Sequence, residues 1–184
     1  IALWSFKSSG KSKMPLTIRA IIGKGWGQGP QHSKSLHSLF ANVPGLEVVM
    51  PSSPADAKGL LIGSIFSKNP TIFLESRSLY SMKQKVRSEM YYTEIGKSSL
   101  LKKGRDITFV SFGSLVPMTL DAAKELDKIK ISAEVIDLRT IKPLDTTLVE
   151  KSLIKTKKII VLEPGWKYGG VAAEISARMS EKIK

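Results

Sequence analysis

The sequence predicts an α/β protein with two open, mainly parallel sheets and covering helices. Three observations carry that expectation. Short β-branched apolar runs alternate with longer amphipathic stretches along two separate tracts, proline or glycine marks most junctions, and a polar, weakly patterned segment divides the tracts. With 184 residues, 42% of them hydrophobic and 24% charged, the chain is long enough to bury a substantial core.

The first tract opens on residues 16–22, where Leu16, Ile18, Ile21 and Ile22 make a β-rich run that feeds directly into glycines 23, 25, 27 and 29. That is a strand ending in a flexible rim. Residues 32–42 are predicted as one helix, because Leu36, Leu39 and Phe40 fall at i, i+3 and i+4. Val48, Val49 and Met50 form a short strand stopped by Pro51. Ser53 and Pro54 then start a helix whose first turn carries Asp56, well placed for the helix dipole, and whose buried stripe is expected at Leu60, Leu61, Ser64 and Ile65. A third strand follows at 71–75. Strand, helix, strand, helix, strand implies a parallel sheet.

Residues 81–105 break this rhythm, with short apolar islands at Met90–Tyr92 and Leu100–Leu101, and are expected to connect two units at 1–80 and 106–184. The alternation then resumes. Strands are expected at 107–112, 133–138 and 159–162. Helices are expected through Leu120, Ala123 and Leu126, from Leu144 to Lys155, and after Gly169 and Gly170 with Val171, Ile175 and Met179 on one side.

Composition removes several classes of function. The absence of cysteine excludes disulfides and thiolate metal sites, and two histidines, His32 and His37, exclude a histidine-rich zinc site, so any metal is expected on oxygen ligands. No run approaches the roughly 20 apolar residues of a membrane span, and the opening Ile1 to Trp4 is too short for a secretory signal. The 29 basic against 16 acidic residues give a net charge of +13, but the lysines are scattered and no dense basic tract forms. A solvated basic surface is expected, with no nucleic acid and no membrane as partner. The chain lacks an initial methionine and reaches its first acid only at Glu47, which reads as a piece of something longer. Its composition suits a bacterial cytoplasm, and equally a mature mitochondrial or plastid matrix protein.

Open parallel sheets bind ligands at the carboxyl ends of their strands, which selects the loops at 23–31, 113–114 and 163–169. The spacing of the four glycines fits neither the dinucleotide fingerprint nor the Walker pattern. His32 stands where the first of these loops meets a helix. From placement alone it is either a reachable acid–base group or a ring that caps the helix. His37, between Ser35 and Ser38, is expected to be a solvated helix residue.

A resemblance sharpens this. Pro44-Gly45-Leu46-Glu47-Val48-Val49-Met50-Pro51-Ser52-Ser53-Pro54, Asp56-Ala57-Lys58-Gly59-Leu60-Leu61, Pro70 to Glu75, Val135 to Ile141 with Pro143-Leu144-Asp145, and Glu163-Pro164-Gly165-Trp166 with Gly169-Gly170 occur in that order. They resemble the β subunits of thiamine-diphosphate-dependent 2-oxoacid dehydrogenases, those of pyruvate, branched-chain 2-oxoacid and acetoin complexes, over nearly the whole chain. Transketolases and deoxyxylulose-phosphate synthases share a related loop, but the Pro-Gly-Leu and Asp-Ala-Lys-Gly-Leu context favours the dehydrogenases.

The resemblance implies the later part of a pyrimidine-binding domain at 1–80, a connector at 81–105 and an incomplete transketolase C-terminal domain at 106–184. It implies a thiamine diphosphate site shared with an α subunit that holds magnesium, a second β subunit, and a lipoylated acyltransferase core as acceptor. His32 matches the histidine that holds the substrate carboxylate or donates a proton during acyl transfer. Leu16, Thr17, Ser64, Ser67 and Asn69 match a structural potassium site made mostly of backbone oxygens, with Ser67 standing where the family commonly has aspartate. Glu163 and Trp166 are expected to order the loop before the last helix and contact a neighbouring subunit, and Arg139 to be structural. The glutamate that activates the cofactor belongs upstream of Leu16, so the chain alone is expected to be inactive. Two rivals remain: a non-catalytic assembly protein of the same fold, and a fragment of a transketolase or deoxyxylulose-phosphate synthase.

Overall fold

The computed structural model describes residues 1–23, 27 and 29–182. Lys24, Gly25, Trp26 and Gln28, part of the expected rim, lie outside the described residues. The elements are α1 (Trp4–Lys7), β1 (Thr17–Ile22), α2 (Gly29–His32), α3 (His37–Ala41), β2 (Glu47–Val49), α4 (Pro54–Phe66), β3 (Thr71–Ser76), β4 (Ser99–Lys102), β5 (Ile107–Ser111), α5 (Leu115–Lys128), β6 (Ala133–Asp137), β7 (Thr140–Lys142), α6 (Thr147–Thr156), β8 (Ile159–Val161) and α7 (Val171–Lys182), with a 3₁₀ turn at Arg77–Leu79. No described helix is long and apolar enough to cross a membrane.

Two four-stranded sheets form. The first has the order β1-β3-β2-β7 and the second β4-β6-β5-β8. In each, three strands run parallel and one edge strand, β7 or β4, runs antiparallel. The parallel strands are those the alternation predicts. The antiparallel ones are not. Strand β4 lies inside the expected connector and includes its apolar island Leu100–Leu101, while β7 is a three-residue strand too short to carry a period of its own.

Alternation along the strands sorts side chains into cores. Val48, Met50, Ile72 and Leu74 of the first sheet meet Val110, Phe112, Ile136, Leu138, Val149 and Ile175 from the second half in one shared cluster. On the opposite faces, Val49 and Phe73 pack on Leu60 of α4, and Phe109 and Val135 on Ala123 of α5. The two halves are therefore joined by their main core. At about 25 cal/mol per Å² of apolar surface, a fully buried side chain such as Leu74 or Ile136 contributes roughly 2 kcal/mol.

Three helices depart from expectation. The predicted helix 32–42 is two short helices, α2 ending at His32 and α3 starting at His37, and of its expected apolar stripe only Phe40 packs on the core: Leu36 is 47% and Leu39 60% exposed, while His37 is fully buried. In α4 only Leu60 and Ser64 of the expected stripe are buried, Ile65 being exposed; Ser53 Oγ caps the helix by accepting the Asp56 N–H at 3.1 Å. Helix α6 starts at Thr147 rather than Leu144, because Asp145 turns its carboxylate to the Ser98 N–H and O–H at 3.0 and 2.8 Å and to the Thr147 N–H at 3.0 Å. Although burial opposes ionisation there, those hydrogen bonds prevail and hold the Asp145 carboxyl down at about 2.

Candidate active site

His32 is the last residue of α2, in the segment that follows the carboxyl end of β1, and it is exposed. The Gly23 N–H donates to Lys34 O at 3.1 Å, so the end of β1 is tied to the segment just after the histidine. An exposed ring two residues before that tie can meet a ligand. Beside the carboxyl ends of β2 and β3 lies a cleft of about 460 Å³, walled by Pro51, Ser53, Lys58, Glu75 and Tyr80 among others. Across it Arg19 Nε donates to Glu75 Oε1 at 2.5 Å and Tyr80 O–H to Glu75 Oε2 at 2.7 Å. Burial raises the Glu75 carboxyl, but its bonds from Arg19 and Tyr80 outweigh that and hold it below the usual range. A second groove, of about 760 Å³, runs between α3, the turn after β7 and α7. His32 lines neither.

His37 corrects the expectation of a solvated residue. Its ring is fully buried and meets the Phe112 ring edge to face with the centroids 5.2 Å apart, and its Nε2–H donates to Glu163 Oε1 at 2.7 Å. Glu163 also accepts the Val171 N–H at 2.9 Å and the Ala172 N–H at 3.0 Å, so a carboxylate from the loop after β8 caps α7. Burial pushes the Glu163 carboxyl up, yet the bonds from His37, Ala172 and Val171 carry it below the ordinary value. Glu163 thus orders the loop before α7, as expected, while Trp166 is 81% exposed. Nothing local in the sequence announces this pair, whose members are 126 positions apart.

Arg139 links the two halves. It stands in the left-handed region at φ 58°, uncommon outside glycine, where its guanidinium reaches Asp56 at 2.9 Å and its carbonyl accepts the Met50 N–H at 2.9 Å. Next to it, Asp137 is completely buried and accepts hydrogen bonds from Ser52 O–H and from the Arg139 N–H. Burial, reinforced by the charge of Asp56, outweighs those bonds and pushes the Asp137 carboxyl up to about 6.

The residues matched to a potassium site converge. Thr17 lies opposite Thr71 in the β1–β3 register, and the Thr71 N–H donates to Leu16 O at 2.8 Å, which places the start of β1 beside the turn after α4. In that turn Ser64 O accepts the Ser67 N–H at 3.2 Å and Ser67 Oγ accepts the Asn69 N–H at 3.1 Å. Each carbonyl retains a lone pair. Glu47, not singled out in the sequence, brings a carboxylate here: Oε1 accepts Asn69 Nδ2–H at 3.0 Å and Oε2 accepts Thr71 O–H at 2.8 Å.

Comparison with known proteins agrees with this architecture. Residues 2–83 match the transketolase pyrimidine-binding domain and residues 96–184 the transketolase C-terminal domain. Over 99% of its length the chain is 42% identical to the pyruvate dehydrogenase E1 component subunit beta of Staphylococcus epidermidis and 41% identical to that of Staphylococcus aureus. It spans 56% of the length of each of these relatives. Among solved structures it is similar to a split-gene transketolase described as an inactive β4 tetramer, with a TM-score of 0.80 and 26% identity over 94% of this chain and 55% of that one. A transketolase mutant from Pichia stipitis shares the fold, at a TM-score of 0.60 and 18% identity over 97% of this chain and 30% of that one. The chain thus carries a transketolase pyrimidine-binding domain followed by a transketolase C-terminal domain.

Proposed function

We propose that this chain supplies one wall of the decarboxylating site of a 2-oxoacid dehydrogenase complex, where a 2-oxoacid is oxidatively decarboxylated and its acyl group passes to lipoyllysine. The reading is carried by the 41–42% identity to pyruvate dehydrogenase E1 β subunits along 99% of the chain. Thiamine diphosphate, when bound, supplies the nucleophilic carbon and accepts the electron pair left by carbon dioxide. In this proposal an α subunit holds the diphosphate and magnesium, a second β subunit completes the assembly, and a lipoylated acyltransferase core takes the product.

His32 is the residue of this chain that meets substrate. An exposed imidazole beyond the end of β1 donates a ring N–H to the substrate carboxylate and passes a proton during the acyl transfer. His37, buried against Glu163, is not placed for that work. Replacing His32 with Ala in the full-length subunit, reconstituted with its α partner, is expected to slow lipoamide acylation by at least about 10²-fold. Unchanged acylation overturns the role. We also assign potassium to the oxygens of Leu16, Thr17, Ser64, Ser67 and Asn69, with Glu47 providing charge nearby. Thermal unfolding in potassium against choline chloride is expected to show a higher Tm in potassium, and equal Tm values remove the site.

A second reading, a non-catalytic assembly protein, is favoured by the similarity to a split-gene transketolase β chain solved as an inactive tetramer. A full-length subunit that forms a β tetramer and never yields activity with any α partner supports it.

A further inference from the structure

Five residues beyond His32, the chain is fastened to the other half of the molecule. His37 is fully buried on α3, and its Nε2–H bonds Glu163, the same carboxylate that caps α7. Among the described residues its buried Nδ1 has no hydrogen-bond partner, so Glu163 is what orients the ring. The surroundings fit the ring closely. A Cβ on Gly165 would come 2.5 Å from His37 Cε1 and 3.1 Å from Ser35 O, and one on Gly170 would collide with the Glu163 carboxylate. The segment after His32 is therefore held at two points, by the Gly23–Lys34 backbone bond on the side of β1 and by the His37–Glu163 bond on the side of α7, with only residues 35 and 36 between them.

We infer that His37 and Glu163 form a latch between the two halves that sets the position of His32, making His37 a positioning residue for the reaction. The inference rests on the reading of His32 as the group that meets substrate. A tether of four residues transmits the position of one end to the other, and loss of an ångström of placement at a reacting group costs rate more than binding. The latch also makes the loop from Glu163 to Gly170 and the His32 segment one unit, so a disturbance at the α7 terminus is felt at the active-site rim.

The test uses the full-length subunit assembled with its α partner, turning over pyruvate and lipoamide. His37→Ala is expected to lower kcat about tenfold with KM changed less than about twofold. His37→Gln, whose amide N–H reaches the Nε2 position, is expected to restore most of the rate. Glu163→Gln is expected to raise amide hydrogen exchange across residues 29–37, far away in sequence, as well as at the start of α7. In a His32→Ala background, His37→Ala is expected to cost nothing further. The latch is overturned if His37→Gln is as slow as His37→Ala, if Glu163→Gln leaves exchange at 29–37 unchanged, or if His37→Ala slows the His32→Ala enzyme by the same factor. A His32→Ala enzyme of full activity would instead remove the functional reading, while the exchange measurement, which needs no catalysis, would still decide whether the latch exists.

Discussion

The two sheets are built to one plan and completed in different ways. Each has three parallel strands and one antiparallel edge strand. The second sheet receives β4 from the segment just before β5, so it closes with its own neighbourhood. The first receives β7, which follows β6 of the second sheet and crosses over to pair with β2. This crossing creates a seam: Arg139 turns the chain between sheets, Asp137 bonds Ser52 across the join, and the main core is shared. At its other edge the first sheet ends in β1, whose Ile18 and Ile21 are 38% and 50% exposed. One sheet therefore has a dry inner margin and an open outer one, and His32 sits on the open side. In the proposed reading, the rim that meets substrate and the seam that holds the halves together touch only through His37.

That contrast can be broken by experiment. The largest effect is expected at Phe112, fully buried in the shared core and in edge contact with His37. Phe112→Ala is expected to lose about 3–5 kcal/mol in urea unfolding, in a single transition because both halves share the cluster. Two separate transitions would show that the seam does not couple them.

Next comes the pH dependence of the seam. The Asp137 carboxyl titrates at about 6 in the folded chain against an ordinary 3.8, so the native state binds the proton more tightly than the unfolded one. The resulting stabilisation is complete below pH 3.8 and is lost as pH rises through about 6, so that on the order of 3 kcal/mol present in acid is gone at neutral pH. Asp137→Asn, which stays uncharged, is expected to flatten the stability profile between pH 4 and 7. An unchanged slope would mean that other groups set it. The smallest effect is expected on the open margin, where Ile21→Ala is expected to shift stability by under about 0.5 kcal/mol. A shift of 2 kcal/mol or more would mean that β1 is covered in solution.

Much of the fold was legible because it depends on local pattern. Strands β1, β2, β3, β5, β6 and β8 follow from β-branched runs, the start of α4 from Ser53 and Pro54, and the start of α7 from the pair Gly169-Gly170, all short-range signals. The α2–α3 break was hidden. Leu36, Leu39 and Phe40 have helical spacing, but burial is decided by what arrives from elsewhere, and here Phe112, Gly165 and Glu163 draw His37 inward instead. At the candidate site, His32 was visible as a histidine at a loop–helix junction, whereas its latch was not.

By itself the sequence determined the class of the protein, the order of its two units, the parallel strands and the residue proposed to meet substrate, because these rest on periodicity, turn chemistry and motif order within a few dozen residues. Only the tertiary structure decided that β7 completes the first sheet, that Asp137 is buried beside Ser52, that Glu47 faces the turn after α4, and that His37 bonds Glu163. Each of these depends on the desolvation and hydrogen bonding of groups far apart in the chain, and such energies exist only once the fold has brought the partners together.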